Sequence, residues 1–261
     1  MTVFTVSILI QSCVVMKDVP KAIEEKSINY SVNLNKVELP KDSKERFGDI
    51  ITIEINKDST RYAFEDDNMM ISWFVGEKGL YFTLFNKSNY PIKINWDDVV
   101  FVDTELNISR VIHSGISYNK INESQASTTI PKGAIFKDYL VPVNNITMNN
   151  YSEWVCDPMI DMMGQTYNTK DYSEEQMNEI IKKAESMVGL TFSILFPLKI
   201  EDVQNDYTFV FQIEKTGINV AEKTIIEQEP EISAGRTIIL VATLIPVAVF
   251  TTIGLFGLGL K

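Results

Sequence analysis

The sequence predicts a mainly β protein: an immunoglobulin-like two-sheet β-sandwich with one inserted helix, followed by a C-terminal transmembrane helix. Three observations predict this fold class. Short runs of alternating apolar and polar residues recur along the chain, as in strands with one buried face. A single stretch combines helix capping residues with helical spacing of its apolar residues. Near the C-terminus lies a long segment that has no charged residue.

The first strands are predicted from runs in which every second residue is apolar. Residues 14–46 form a polar linker in which 27–39 is a candidate first strand. The clear alternating runs follow at 51–55, 80–84 and 92–96. Residues 86–89 predict a loop or hairpin turn, and Pro91 opens the next strand. Residues 99–102 are apolar on both faces, which is typical of an inner strand.

One helix is predicted after residue 172. Ser173 is its N-cap, and Gln176 completes a capping box three residues later. Tyr172 and Met177 have the spacing of a hydrophobic staple. Gly189 is the predicted stop signal. The apolar residues between them lie on one stripe of the helix: Met177, Ile180, Ile181, Ala184, Met187 and Val188.

Two further strands complete the predicted domain. Residues 192–200 and 207–213 alternate, and Asn205 and Asp206 are predicted to form the turn between them. Acidic residues then predominate up to Arg236. The predicted organisation is an apolar leader or lipoprotein signal at 1–13, the polar linker at 14–46, the β-sandwich at 47–216, an acidic stalk at 217–236 and a transmembrane helix at 237–260.

Both apolar terminal segments bear on location. Residues 238–260 carry no charge and as a helix span roughly 34 Å, enough for a bilayer core. The N-terminal apolar run ends at Gln-Ser-Cys, which resembles the signal of a lipoprotein lipidated on Cys13. This segment predicts an extracytoplasmic domain. Lys223 and Arg236 before the span favour the alternative, a cytoplasmic tail-anchored domain.

Composition excludes several classes of function. The 24 Lys and Arg against 35 Asp and Glu give a net charge of −11, which argues against nucleic-acid binding. With one histidine and two cysteines, neither a multi-histidine metal site nor a disulfide framework is expected. We find no cofactor motif and no catalytic motif, so neither a cofactor nor an enzymatic activity is predicted.

The densest polar cluster follows the third alternating run. It contains Asp97, Asp98, Asp103, Arg110, His113 and Tyr118. Asp97, Val99, Phe101 and Asp103 are predicted to share one face of a strand. An Asp–His–Arg group can bind an anion or transfer a proton. The alternative is a set of strand-end turns with a salt bridge between Arg110 and an aspartate.

Three other groups have weaker signals. Trp154 is a candidate for stacking on a glycan, with Trp73, Phe74, Trp96, Tyr118 and Tyr151, although such aromatic residues usually belong to the core. Glu153, Asp157 and Asp161 offer oxygen atoms to calcium but match no calcium loop. Cys156 has no basic neighbour in sequence, which predicts a buried and unreactive thiol.

Several short motifs carry a family resemblance. They are FTLFNKS at 82–88, PIKINWD at 91–97, FVD at 101–103, RVIHSG at 110–115, IPKG at 130–133 and FPLKIED at 196–202. Together they make roughly residues 70–215 resemble a group of uncharacterised bacterial envelope lipoproteins. The resemblance implies an exported sandwich domain and no known activity.

The favoured hypothesis is a membrane-anchored, non-catalytic envelope protein whose β-sandwich scaffolds or binds a partner. Its predicted partners are membrane lipid, through the C-terminal helix, and an envelope protein or glycan. One alternative is an adhesion module that binds a glycan or peptide. The other is a hydrolase that uses His113 with an aspartate.

Overall fold

The computed structural model describes residues 16–39, 49–56 and 59–230 of the chain. The chain divides into two compact units: Ala22–Thr224, and a second made of Met1–Lys21 with Ile225–Lys261. Cys13 and the predicted span at 237–260 lie outside the described residues. Within the described part, no helix has the length and apolar character needed to cross a bilayer.

Strands dominate the described chain, and the one α-helix described is α1, Glu174–Glu185. The strands are β1 Met16–Glu38, β2 Asp49–Asn56, β3 Ser59–Glu65, β4 Met69–Val75, β5 Leu80–Asn86, β6 Ile92–Ile94, β7 Val100–Val102, β8 Ile108–His113, β9 Thr128–Ile130, β10 Ile135–Pro142, β11 Ile146–Met148, β12 Trp154–Cys156, β13 Thr166–Asn168, β14 Thr191–Ile200 and β15 Val203–Pro230. The predicted mainly β class is therefore confirmed.

The strands form one large antiparallel sheet and the small β11–β12 sheet. The large sheet has the order β13-β1-β15-β14-β7-β8-β10-β5-β4-β3-β2, with β6 and β9 beside β14. The first half of β8 pairs with β7 and its second half pairs with β10. This strand thus joins a first layer (β13 to β7) to a second layer (β10 to β2), an arrangement consistent with a β-sandwich.

The core lies between these two layers and is rich in aromatic residues. Trp73 on β4 is 1% exposed and meets first-layer rings at 5.1 Å (Phe209) and 5.7 Å (Phe196) between centroids. The predicted inward residues of β5, β14 and β15 are all buried. Burial of each large apolar side chain contributes about 1.5–3 kcal/mol, so these alternating runs determine the face that packs.

Helix α1 begins as predicted. The Gln176 amide donates to the Ser173 hydroxyl at 3.2 Å, and the Ser173 amide donates to Oε1 of Gln176 at 2.8 Å. The helix ends at Glu185, earlier than Gly189. Gly189 instead takes a φ of +90° and donates its amide to the Ile213 carbonyl at 2.8 Å, which returns the chain to the sheet.

Two predicted turns differ in the structure. Asn205 and Asp206 lie inside β15, opposite Leu198 and Pro197, so their assignment to a turn is wrong. The turn is Glu201–Asp202, where Glu201 adopts a φ of +56°. The sequence predicted either a loop or a hairpin turn after Asn86. The structure has a loop there, because β5 and β6 pair with different strands.

Strand β1 and strand β15 extend further than the sequence pattern indicates. β1 occupies most of the predicted polar linker and contributes Ile28, Tyr30 and Leu34 to the core. β15 continues to Pro230, into the predicted acidic stalk. Most of both layers lies in the compact unit Ala22–Thr224.

Candidate functional site

The structure separates the predicted polar cluster into distinct places. Asp97 lies in a short 3-10 helix, Trp96–Asp98, and Asp103 lies in a turn after β7. The prediction that Asp97, Val99, Phe101 and Asp103 share a strand face is wrong, because the helical turn breaks the alternation. Asp103 accepts hydrogen bonds from the amides of Glu105 and Asn107, both at 2.8 Å, and so stabilises its own turn.

Asp97 forms a salt bridge with Arg110, as the alternative interpretation of the cluster expected. Nη2 of Arg110 and the Gln125 amide both donate to Oδ1 of Asp97, at 2.9 Å and 3.2 Å. The Ser124 hydroxyl donates to Oδ2. The pKa of Asp97 is lowered, chiefly by the Ser124 hydroxyl; partial burial opposes this, and the Gln125 amide and Arg110 add to the lowering.

His113 pairs with an aspartate that was not in the predicted cluster. Its Nδ1 is 3.1 Å from Oδ2 of Asp138, whose side chain is 2% exposed. The amides of Ser114 (3.0 Å) and Tyr139 (2.7 Å) donate to Oδ1, and so does the Ser114 hydroxyl. Trp96 stacks on the imidazole at 4.3 Å with an angle of 13°. His113 is therefore held in position from two sides.

Gln125 connects the two aspartate groups. It accepts from the His113 amide at 3.2 Å, donates through Nε2 to the Val111 carbonyl at 2.8 Å and is 6% exposed. The sequence did indicate that Asp138 points inward. It lies two residues from both Phe136 and Leu140, so the three side chains are expected on the same face of β10. Gln125 lies in a loop, and no periodicity indicates it.

The His113–Asp138 pair supplies an oriented imidazole, which is one part of a hydrolytic site. Among the residues that the structure describes, no hydroxyl or thiol forms a hydrogen bond with the His113 ring. The nearest serine in sequence, Ser114, donates to Asp138 instead. The geometry therefore explains how a buried carboxylate is stabilised and does not assemble a nucleophile with its base.

Tyr118 and Trp154 lie away from His113. Tyr118 packs on a separate small apolar cluster formed by Ile112, Val141 and Ile146. Trp154 is at the end of β12, opposite Met148, and is 38% exposed. The described part of the chain contains no group of three or more His, Cys, Asp or Glu residues that could hold a metal ion.

Cys156 belongs to this small cluster and is partly buried. Burial raises the pKa of its thiol; the Tyr118 hydroxyl and the Lys78 ammonium group act in the opposite direction. Lys78 is a basic neighbour only in space, which is why the sequence gives no sign of it. A thiol with a raised pKa stays protonated near neutral pH and reacts slowly.

The outward face of the second layer carries an aromatic row that was not predicted as a unit. Phe74, Tyr81 and Tyr139 occupy directly paired positions on β4, β5 and β10. The centroids of Tyr81 and Tyr139 are 4.5 Å apart, and those of Phe74 and Tyr81 are 5.9 Å apart. Phe74 and Tyr81 are 38% and 46% exposed. This aromatic row consists of these three residues.

A polar row runs beside the aromatic row, two residues along each strand. Ser72, Thr83 and Lys137 are paired across the same three strands. The polar row and two residues of the aromatic row, Phe74 and Tyr81, line a groove of about 200 Å³ together with Phe82 and Asp138. Trp73 and Trp96, which were also considered for stacking, are each 1% exposed and belong to the core.

Comparison of the chain with models of protein families, with curated protein sequences and with solved structures finds no match. The groove and the His113–Asp138 pair must therefore be interpreted from their own chemistry.

Proposed function

We propose that this protein is a non-catalytic, immunoglobulin-like β-sandwich that is held at a membrane, on its extracytoplasmic side, and scaffolds or binds a partner there. The observation that carries the proposal is the antiparallel pairing of the first and last strands. The resemblance to envelope lipoproteins and the two apolar terminal segments support it from the sequence.

Contacts between β1 and β15 give their relative direction. Nδ2 of Asn33 donates to Oε1 of Glu214 at 2.6 Å, and Nζ of Lys223 lies 3.8 Å from Oε1 of Glu25. Residues early in β1 therefore lie opposite residues late in β15. The two strands are neighbours in the sheet, so they run antiparallel. Residues 22 and 224, where the chain enters and leaves the compact unit, consequently lie at the same end of it.

This geometry suits a domain attached through both of its ends. A chain that enters and leaves a sandwich at one end needs no long linker to bring its two terminal segments to one bilayer. The opposite end and the outer faces of the layers then remain available to a partner. An acidic surface, with a net charge of −11, favours solubility near anionic lipid over adsorption onto it.

Protease accessibility in spheroplasts tests the location. We expect protease added outside to digest the sandwich of the full-length protein while a cytoplasmic marker stays intact. Protection of the sandwich until the cells are lysed would contradict the proposal and support a cytoplasmic tail-anchored domain.

Two variants test attachment through both ends. One is truncated after Arg236, and the other carries Cys13→Ser. We expect each protein to remain in the carbonate-resistant membrane fraction, whereas the combined variant is released. Release of either single variant would show that one end alone holds the domain. A His113→Ala variant with normal abundance and an unchanged cellular phenotype is expected, since the proposal gives His113 no catalytic role.

A further inference from the structure

We propose that the groove on the outward face of the second layer binds an acidic glycan, with sugar rings stacked on Phe74 and Tyr81 and a sugar carboxylate at Lys137. This inference deepens the proposed function, on which it rests, by naming the class of ligand that the anchored domain holds.

The β4–β5 hairpin packs against the rings of Tyr81 and Tyr139. Two glycines of the β4–β5 hairpin allow it: a Cβ on Gly76 would be 2.8 Å from a ring carbon of Tyr81, and a Cβ on Gly79 would be 2.8 Å from one of Tyr139. The hairpin backbone therefore contacts the edges of both rings. Tyr81 lines the groove and is 46% exposed.

The alternation of the two rows matches the surface of a sugar. A pyranose presents an apolar C–H face and a rim of hydroxyl groups. The exposed aromatic rings of Phe74 and Tyr81 supply apolar area with little conformational entropy to lose. The hydroxyls of Ser72 and Thr83 lie beside them at the next paired positions, where they can donate to or accept from sugar hydroxyls.

Lys137 determines the charge of the ligand. It is exposed, and the described residues provide it with no salt-bridge partner. Its neighbour Asp138 points to the opposite face of β10, where it bonds to His113. An ammonium group at the end of a row of hydroxyls complements a single sugar carboxylate.

The width of the site favours a glycan chain over a compact small molecule. The groove is open and about 200 Å³ in volume, and residues of three neighbouring strands, β4, β5 and β10, line it. Compact ligands occur in deeper, largely enclosed pockets. A polymer of sugar rings, by contrast, can make one stacking contact with Phe74 and a second with Tyr81.

The test measures binding of the full-length protein in detergent, which makes it independent of membrane attachment. The probes are oligomers of galacturonate, glucuronate, mannuronate and N-acetylneuraminate, each compared with its carboxyl-reduced counterpart by calorimetry. We expect at least one acidic oligomer to bind and its reduced form to bind at least about fivefold more weakly.

Matched variants localise the site. Tyr81→Ala is expected to weaken binding at least about tenfold, whereas Tyr90→Ala, at a tyrosine with the same 46% exposure, has no effect. Lys137→Gln is expected to abolish the preference for the acidic form, whereas Lys93→Gln on the first layer preserves it. If Tyr81→Ala does not fold, Tyr81→Phe and Lys137→Gln are measured instead, because both substitutions are expected to preserve the fold.

Several results would overturn the inference. They are no binding of any acidic oligomer, equal binding of acidic and reduced forms, or equal losses in the Tyr81 and Tyr90 variants. A concentration-dependent dimer that Tyr81→Ala dissociates would instead assign the aromatic row to a second copy of the chain. None of these results bears on membrane attachment, so failure of this inference is distinguishable from failure of the proposed function.

Discussion

Two regions of the second layer each bury an aspartate, and they stabilise it in different ways. Asp66, in the turn between β3 and β4, accepts from the amides of Asn68 (2.8 Å) and Met69 (2.9 Å) and from the Tyr207 hydroxyl (2.7 Å). Asp138, on β10, accepts from two amides, the Ser114 hydroxyl and the His113 ring. Buried carboxylates require such donors because desolvation otherwise disfavours their charge.

The difference lies in what surrounds each carboxylate. Asp66 closes its own hairpin turn and reaches into the core, where Tyr207 is 1% exposed. Asp138 bonds to groups nearer the surface: the His113 side chain is 16% exposed, and Ser114 is exposed. Water can replace donors at Asp138 more easily than at Asp66. We therefore expect Asp66 to matter more for stability, although Asp138 is the one that pairs with a histidine.

The largest expected effect follows from Asp66→Ala. The substitution removes the hydrogen bonds that Asp66 accepts from the Tyr207 hydroxyl and two amides, and we expect it to lower the free energy of unfolding by about 3 kcal/mol. Equilibrium urea unfolding followed by tryptophan fluorescence measures it. The exposed neighbour provides the control, since Asp67→Ala should change stability by less than about 0.5 kcal/mol. Equal losses of stability in Asp66→Ala and Asp67→Ala would contradict the conclusion that the buried hydrogen bonds of Asp66 stabilise the fold.

Asp138→Ala is expected to cost less, about 2 kcal/mol, because water reaches His113 and Ser114 once the carboxylate is removed. The same unfolding measurement applies, with Asp171→Ala at an exposed position as the control. A loss larger than that of Asp66→Ala would show that solvent access does not determine which of the two aspartates contributes more to the free energy of unfolding.

Tyr207→Phe sharpens the comparison by removing one donor and leaving the ring. We expect a loss of about 1.5 kcal/mol in the natural sequence. In the Asp66→Ala background the same change should cost less, because the hydrogen bond between Tyr207 and Asp66 is already absent. Additive losses in the double variant would mean that the Tyr207 hydroxyl is stabilised by another group.

The smallest expected effect concerns Asp97, whose carboxylate is 30% exposed. Removing its strongest donor with Ser124→Ala should raise the lowered pKa of Asp97 toward its ordinary value of 3.8, as followed by carbon NMR of the carboxyl group. Ser127→Ala should leave the pKa unchanged.

The sign of the stability effect follows from the lowered pKa. The contribution of Asp97 is present above the pKa of the unfolded state and is lost as pH falls through the folded pKa. Ser124→Ala should therefore reduce the acid sensitivity that arises at this position, by a small amount because solvent screens the interaction. An unchanged pKa in Ser124→Ala would contradict the assignment of Ser124 as the main cause.

The sequence by itself determined the class of the fold and most of its buried faces. Alternation identified the inward residues of β5, β14 and β15, because successive side chains in a strand point to opposite faces whatever the partner strand is. The capping box of α1 was equally predictable, since Ser173 and Gln176 are three residues apart. These features depend on local geometry alone.

Only the tertiary structure decided which residues meet. Alternation assigns Tyr81 to an outward face, but the pairing register of β4, β5 and β10 places it between Phe74 and Tyr139. Likewise, His113 and Asp138 are 25 residues apart in sequence and meet because β8 and β10 are neighbouring strands. Register depends on turn geometry and on packing of the whole sheet, so a pattern within one strand cannot specify it.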